Sequence, residues 1–445
     1  MNIAYICTDF GVPIFGFKGA SIHVREMVSS MRKAGHNVTI ISPAMHRGKE
    51  DEAGSNMGAE GLDSENLYKI IDSTAQSGFS HEPGLGKLTC ISVLPRPEHV
   101  RFARVLAELD QFMGTKSRLR QEVRNLMYNK ALYDAVIDYL RNADIDFVYE
   151  RYTLFGLGGI QIAQELGVPH ILEANAPLAY EQEKMRGLEM KEFARQMEAR
   201  IFRESSRVIV VSKQLKAFVE SCGVPEAQIT VMPNAVDPAR FLSNGQPLPV
   251  IKKLGFNSHT VIGFVGSLKP WHGTETLLEA FANLYKNNKN IRLLIVGDGP
   301  GRESLEKYSA ENGIANAVVF TGKIHHHEIP GYINTMDITV APYTPNDNFY
   351  FSPIKIFEYM MMEKAVVGAQ IGQVAEVLKP NETGLLFEPG NIPQLTETLN
   401  TLVSDAGLRQ KLGKNAKAWV QRERTWDRNA QQVVEIAEKL INKNV

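Results

Sequence analysis

The sequence predicts an α/β protein built as two Rossmann-like domains facing each other across a cleft. Three observations predict it. Apolar strand-type segments alternate regularly with helical ones in both halves, strand ends run into glycine-bearing turns, and a polar, proline-bearing connector, PARFLSNGQPLPVIKKLG, parts the halves near Gly245. At 445 residues the chain is too long for one core. Its formal net charge of -1 supplies no global field, so no nucleic-acid partner is expected. Cys7, Cys90 and Cys222 lie far apart without CxxC spacing, which argues for a reducing, cytoplasmic setting and against disulfides or structural zinc. MNIAYICTDF reads as a first strand rather than a signal peptide, and no apolar run approaches the ~18–20 residues of a membrane span.

The first half opens as a βαβ unit: strand NIAYIC, loop TDFGVPIFGFKGAS, a helix from about Ile22 to Lys33, and strand NVTIIS. The loop lacks G-x-G-x-x-G. Gly19 and Ala20 either let backbone amides approach a ligand at the strand's carboxyl end or simply turn the chain. The polar stretch 47–81 reads as a flexible insertion. Pro97 to Tyr139 reads as helical. Its basic stretch 116–130 (Lys116, Arg118, Arg120, Arg124, Lys130) is a solvated face, a seat for an anionic acceptor, or a peripheral contact with anionic lipid at the inner face of the membrane. Glu150 and Arg151 stand at the ligand end of IDFVYE, and Glu173 and Asn175 at that of HILEANAP; they form an acceptor pocket or a salt-bridge network. Asp144-x-Asp146 precedes its strand, away from the ligand crevice, so no metal is expected there.

In the second half, Lys269 follows strand TVIGFVG and offers a point charge for a diphosphate. Gly297 opens the glycine-rich turn GDGPGRESLEKYS. His325, His326 and His327 are adjacent, point in different directions and read as a solvent loop rather than a metal site. Met360 to Met362 read as core filling. In NFYFSPIKIFEYMMMEKAVVGAQIGQVAE, Ser352 is a good N-cap and Pro353 suits the first helical position, so open N–H groups would face a phosphate. Glu358 lies further in, among apolar neighbours. It either accepts from the two hydroxyls of a ribose or pairs with Lys355 on a solvated face. The tail is helical from about Ile392, and DRNAQQVVEIAEKLIN puts Val433, Val434, Ile436, Ala437, Leu440 and Ile441 on one apolar face that must dock.

Taken in order, these motifs resemble family 4 of the retaining glycosyltransferases, whose fold is GT-B. The resemblance is carried by FVGSLKPWHGTETLLEAF, LLIVGDGP, VVFTGKI, DITVAPY, FSPIKIFEYMMMEKAVVGAQIGQVAEV and NETGLLFEPGN, and more weakly by KGASIHVREMVSSMRKAGHNVTIIS and VMPNAVDP. It implies a first domain, 1–245, for a hydroxyl acceptor, and a second, 246–425, for a nucleotide-diphosphate sugar. A terminal helix, 426–445, would cross back to dock on the first domain. The implied enzyme is a hexosyltransferase that retains anomeric configuration and needs no metal or cofactor, with UDP sugars favoured as donors and GDP sugars next.

Residue by residue, Glu358 matches the glutamate that holds the ribose, and with Lys269 it forms the implied catalytic pair. Ile324 falls where backbone groups meet the base, Gly19 and Ala20 against the diphosphate, and Gly372 and Glu376 at the turn after the next strand. Gly297, Phe351, Ser352, Pro353 and Lys355 complete the donor set. Three departures mark a subgroup with SLKPWHG and SPIKIFEYM. Tyr350 stands where a first glutamate would contact the donor sugar, Ser267 and His272 replace the Arg and Lys that flank the phosphate, and Glu150 and Arg151 replace an acceptor-side histidine. A nucleotide-sugar epimerase of the same fold and a non-catalytic sugar-nucleotide-binding subunit are the rival readings.

Overall fold

Strands rich in Val, Ile and Leu bury both faces only when helices cover both sides of a parallel sheet, and two such sheets form here. The computed structural model describes residues 1–16, 18–45, 68–71, 85–242, 256, 258–346 and 348–443. The chain divides into one compact unit of Met1–Met232 with Asp427–Val445, and a second of Pro233–Trp426. The connector around Gly245 lies outside the described residues.

The first unit holds strands β1 (Asn2–Cys7), β2 (Asn37–Ser42), β3 (Tyr68–Ile71), β4 (Leu88–Val93), β5 (Phe147–Arg151), β6 (His170–Ala174), β7 (Arg207–Val210) and β8 (Ile229–Val231). They lie in the order β3-β4-β2-β1-β5-β6-β7-β8. All pair in parallel except β3, which runs antiparallel to β4 with Tyr68 opposite Val93. This corrects the reading of 47–81 as one flexible insertion. Within it, Tyr68–Ile71 adds an edge strand whose Tyr68 ring packs edge-on against Tyr139; the rest of the stretch lies outside the described residues. The helical stretch after Pro97 is two helices, Pro97–Met113 and Leu119–Asn142, because Gly114 takes the left-handed conformation that stops the first. The second helix lays Tyr128, Leu132, Val136 and Leu140 on Ala4, Ile41, Ile91 and Val148 of the sheet.

The second unit holds β9 (Thr260–Val265), β10 (Ile291–Val296), β11 (Val318–Phe320), β12 (Ile338–Ala341), β13 (Ala365–Ala369) and β14 (Leu385–Phe387), in the order β11-β10-β9-β12-β13-β14 and parallel throughout. Its core joins Ile262, Leu293 and Val340 of the sheet to Phe281, Phe357, Met360 and Met361 of the helices, so the methionine run does fill the core. The final helix, Trp426–Ile441, buries Ala430, Val433, Val434, Ile436 and Ala437, and from Asp427 onward it belongs to the first unit.

Strand order reverses between β1 and β5 in one sheet and between β9 and β12 in the other. Ligands of such sheets bind at the carboxyl ends of the strands beside these switch points. At the second of them two glycines permit a close backbone approach. Gly297, after β10, has φ 142°, and a Cβ there would lie 1.9 Å from the carbonyl oxygen of Gly266. Gly297→Ala is therefore expected to destabilise the second unit by about 2–4 kcal/mol, through strain and backbone collision together. Urea unfolding checks this, and an unchanged midpoint would refute it.

Candidate functional site

The helix Ile354–Met361 aims its first turn at the switch point of the second sheet. Its N-cap is Pro353, and no side chain caps it. Ser352 does not play the capping part its residue type suggests. Its Oγ accepts the backbone N–H of Asn234 at 2.8 Å, and its carbonyl accepts Asn234 Nδ2 at 2.6 Å. The serine thus ties this helix to the 234 loop, and the helix start stays uncapped, a place where negative charge is favoured.

Glu358 is buried in this helix, with 5% of its surface exposed, which rules out a solvated face. His326 Nε2 donates to Glu358 Oε1 at 2.7 Å, and Arg240 Nη1 donates to His326 Nδ1 at 3.0 Å. An arginine can only donate, so it fixes the imidazole proton on Nε2, where it serves Glu358. The expectation that the three histidines form a solvent loop fails for His326: its ring is largely covered, and it fixes the glutamate in place. His325 and His327 are exposed, with their rings 5.6 Å apart. Three identical neighbours carried no signal of which one turns inward.

Lys355, one turn earlier, leaves its stem partly exposed and buries its ammonium nitrogen, which has no hydrogen-bond partner among the described residues. Nζ lies 4.2 Å from the Phe264 ring centroid and 5.4 Å from that of Tyr343. It also fills the space beside Gly266, where a Cβ would stand 2.5 Å away. Burial pulls this lysine down to about 7, with Glu358 pulling back in part. Glu358 answers to His326, so the i,i+3 pairing with Lys355 gives way to two separate roles.

Ser267 and His272 hold one another: His272 Nδ1 donates to the Ser267 carbonyl at 2.5 Å. Burial, then the neighbouring Lys355, pushes His272 down to about 3, so it is neutral at any working pH. Lys269 lies half-buried with its ammonium 4.7 Å from the Trp271 ring centroid. Tyr350 is buried, with its ring 4.4 Å from Phe351 in an aromatic group that includes Phe349 and Tyr343. Ile324 is half-buried at the edge of the core, past the Gly297–Gly322 bridge. Gly372 opens a short helix with φ 43°, and Glu376 on that helix is exposed.

In the first unit, Gly19 and Ala20 begin the helix Gly19–Lys33, which likewise has no side-chain cap. The four acceptor-side residues do not form one pocket. Adjacent strand residues point to opposite faces, so Glu150 and Arg151 part company. Glu150 turns to His170 Nε2 at 2.9 Å, and His170 in turn meets Ser205. A Cβ on Gly159 would collide with its carboxylate at 2.1 Å. Glu150 is packed into the body of the unit and leaves the acceptor set. Glu173 instead gathers Arg151 Nη1 (2.9 Å), His23 Nε2 (2.7 Å), Tyr149 Oη (2.5 Å) and Asn175 Nδ2 (2.5 Å). Burial opposes its ionisation, but His23, Arg151 and Tyr149 outweigh that and hold the carboxyl well below the usual range. His23 and Tyr149 were not singled out from the sequence. Tyr149 was within reach, because it lies two residues before Arg151 and so faces the same side. Asp146, of the D-x-D pair, accepts the Asn2 amide at 2.6 Å and anchors the start of β1.

Residues 250–419 match the family described as glycosyl transferases group 1, and residues 93–240 match Glycosyltransferase Family 4. An uncharacterised glycosyltransferase of Methanocaldococcus jannaschii is 26% identical over 243 residues, which is 54% of this chain and 60% of that protein. The chain spans about half the length of the curated relatives it matches, from 42% to 60% in three of them. Among solved structures, sucrose-phosphate synthase of Thermosynechococcus elongatus shares the fold with a TM-score of 0.71 at 19% identity, over 99% of both chains. The Anabaena protein HepE, solved with UDP and glucose, shares it with a TM-score of 0.68 at 17% identity, over 99% of this chain and 100% of that one. Two stretches of the chain thus match glycosyltransferase family models, and its two-sheet architecture is that of the GT-B fold.

Proposed function

We propose that the protein transfers a hexose from a nucleotide-diphosphate donor to a hydroxyl acceptor, with retention of configuration and without a metal. The observation that carries this reading is Glu358, a buried carboxylate whose Oε1 accepts from His326 Nε2. A ribose diol supplies two donors to such a carboxylate. The diphosphate then extends toward the uncapped start of the Ile354–Met361 helix and Lys269. There, backbone amides and a fixed cation stabilise the charge that develops on the leaving group. Ile324 and Gly297 line the nucleoside end, and Tyr350, Phe351, Gly372 and Glu376 the sugar end. UDP sugars are the first choice and GDP sugars the second; the Anabaena fold neighbour was itself solved with UDP and glucose.

For the acceptor, Arg151, Glu173 and Asn175 form one polar group with His23 at the first sheet's switch point. A peripheral contact with anionic membrane belongs to the same reading. Part of the basic stretch is already engaged, Arg118 with the Arg186 carbonyl and Lys130 with Asp134. The apolar side chains able to enter lipid lie on the preceding helix, where Phe102, Val105, Leu109, Phe112 and Met113 are exposed. The test is a panel of UDP and GDP sugars with hydroxyl acceptors, read by mass spectrometry. Release of nucleoside diphosphate with a glycosylated product is expected. A new sugar nucleotide formed without acceptor would mark an epimerase, and binding without turnover a non-catalytic subunit.

A further inference from the structure

An ammonium group buried without a hydrogen-bonding partner is costly, and proteins avoid the cost by pairing the charge or by discharging it. Lys355 is such a group, placed where β9 and β12 diverge. The stem comes from the helix Ile354–Met361, Phe264 belongs to β9, Gly266 follows β9, and Tyr343 follows β12. Glycine at 266 is what makes room for the nitrogen, since any side chain there would meet it. Among the described residues, the charged and titratable groups around it, element by element, are few. On its own helix stand Glu358, engaged by His326, and Tyr359, whose hydroxyl accepts the Val265 amide at 2.7 Å. The turn after β9 offers Lys269 and the neutral His272, and the segment after β12 offers Tyr343, which burial keeps protonated. Strand β9 itself presents only Phe264. None of these supplies a free anion.

We infer that Lys355 is the counter-charge of the donor's diphosphate, and that it acquires this charge by taking up a proton when the nucleotide binds. The inference rests on the donor-site reading above and goes beyond it in adding to Lys269 a second cation, one linked to pH. Ser267 is uncharged and His272 is held neutral, so neither can meet a diphosphate with a full charge. Lys355 can. In the free protein its amine sits near half-protonation at about pH 7, against aromatic rings that tolerate either form. A diphosphate arriving at the uncapped helix start stabilises the ammonium. The nitrogen lone pair then takes a proton from the buffer, and the flexible stem carries the new charge to the anion. The proton count is one gained by the protein and one lost by the medium.

Calorimetry of UDP and GDP binding to the full-length protein, in buffers of different ionisation heat, tests this. At pH 8, where the amine starts mostly neutral, uptake should approach about one proton per nucleotide, and it should fall toward zero by pH 6. In K355M the uptake should vanish and UDP affinity should drop by about 30-fold or more, while uridine binds as before. The free K355M protein should melt no lower than the wild type, because an uncompensated polar group has left an apolar slot. Should K355M fail to fold, K355Q serves the same comparison. Nucleotide binding without proton uptake, or with affinity unchanged in the variant, overturns the inference and leaves the donor site standing. Failure of both UDP and GDP to bind the wild type overturns the donor-site reading, and the inference with it.

Discussion

Replacing Glu358 with alanine is expected to weaken UDP binding by about a hundred-fold, or roughly 3 kcal/mol, while leaving the second unit folded. A charged acceptor lost from a desolvated position forfeits about 1.5–3 kcal/mol per bond, and a diol makes two such bonds. The stability cost is smaller. Alanine strips His326 of its acceptor, but that ring is still partly in contact with solvent and keeps Arg240. Glu358→Gln separates charge from shape. The amide oxygen can still accept from His326, so folding should be unchanged and binding should fall by about ten-fold. Titration calorimetry with UDP measures both, and affinity within two-fold of wild type in the alanine variant would remove Glu358 from the site.

The largest effect on stability is expected at Glu173. Glu173→Ala removes the only carboxylate that Arg151, His23, Tyr149 and Asn175 are shown to share. Breaking a buried pair on one side costs about 3–5 kcal/mol, because the remaining charge is stranded in a low-dielectric setting. The pH dependence has a definite sign. The carboxyl is held below its ordinary value of 4.5 in the folded protein, so its contribution is fully present above that value. It is lost as pH falls through the acid range toward the depressed value. Wild-type stability should therefore drop steeply below about pH 4.5, and Glu173→Gln should flatten that limb. Urea midpoints at pH 7 and in the acid range test it; parallel curves for the two proteins would contradict the assignment.

Much of the architecture was legible because parallel sheets demand long apolar runs and helices at fixed alternation, and both are plain in segments such as NVTIIS and IRLLIV. Strand β3 escaped because YKII is too short to stand out from a polar stretch. The break at Gly114 escaped because the apolar periodicity continues on both sides of it. In the second unit, Glu358 stood out as a carboxylate among apolar neighbours, and the structure buries it. Lys355 could not be placed from local spacing. Its slot is made by Phe264 and Tyr343, brought together by the parallel pairing of β9 with β12, and i,i+3 geometry alone pointed to a surface pair. Glu150 was grouped with Arg151 although the two-residue repeat of a strand already sends neighbours to opposite sides. Ser352 illustrates the reverse limit: a residue with capping chemistry was claimed by Asn234, from a loop distant in sequence.

The last helix bears on the order in which the protein matures. Residues Pro233–Trp426 form a continuous stretch, whereas Met1–Met232 is joined by Asp427–Val445. During synthesis the later unit can close on itself as soon as it emerges. The earlier one is complete only once the helix that carries the buried Val433, Ile436 and Ala437 has been made. The amino-terminal unit is therefore completed only after the carboxyl-terminal one has been made.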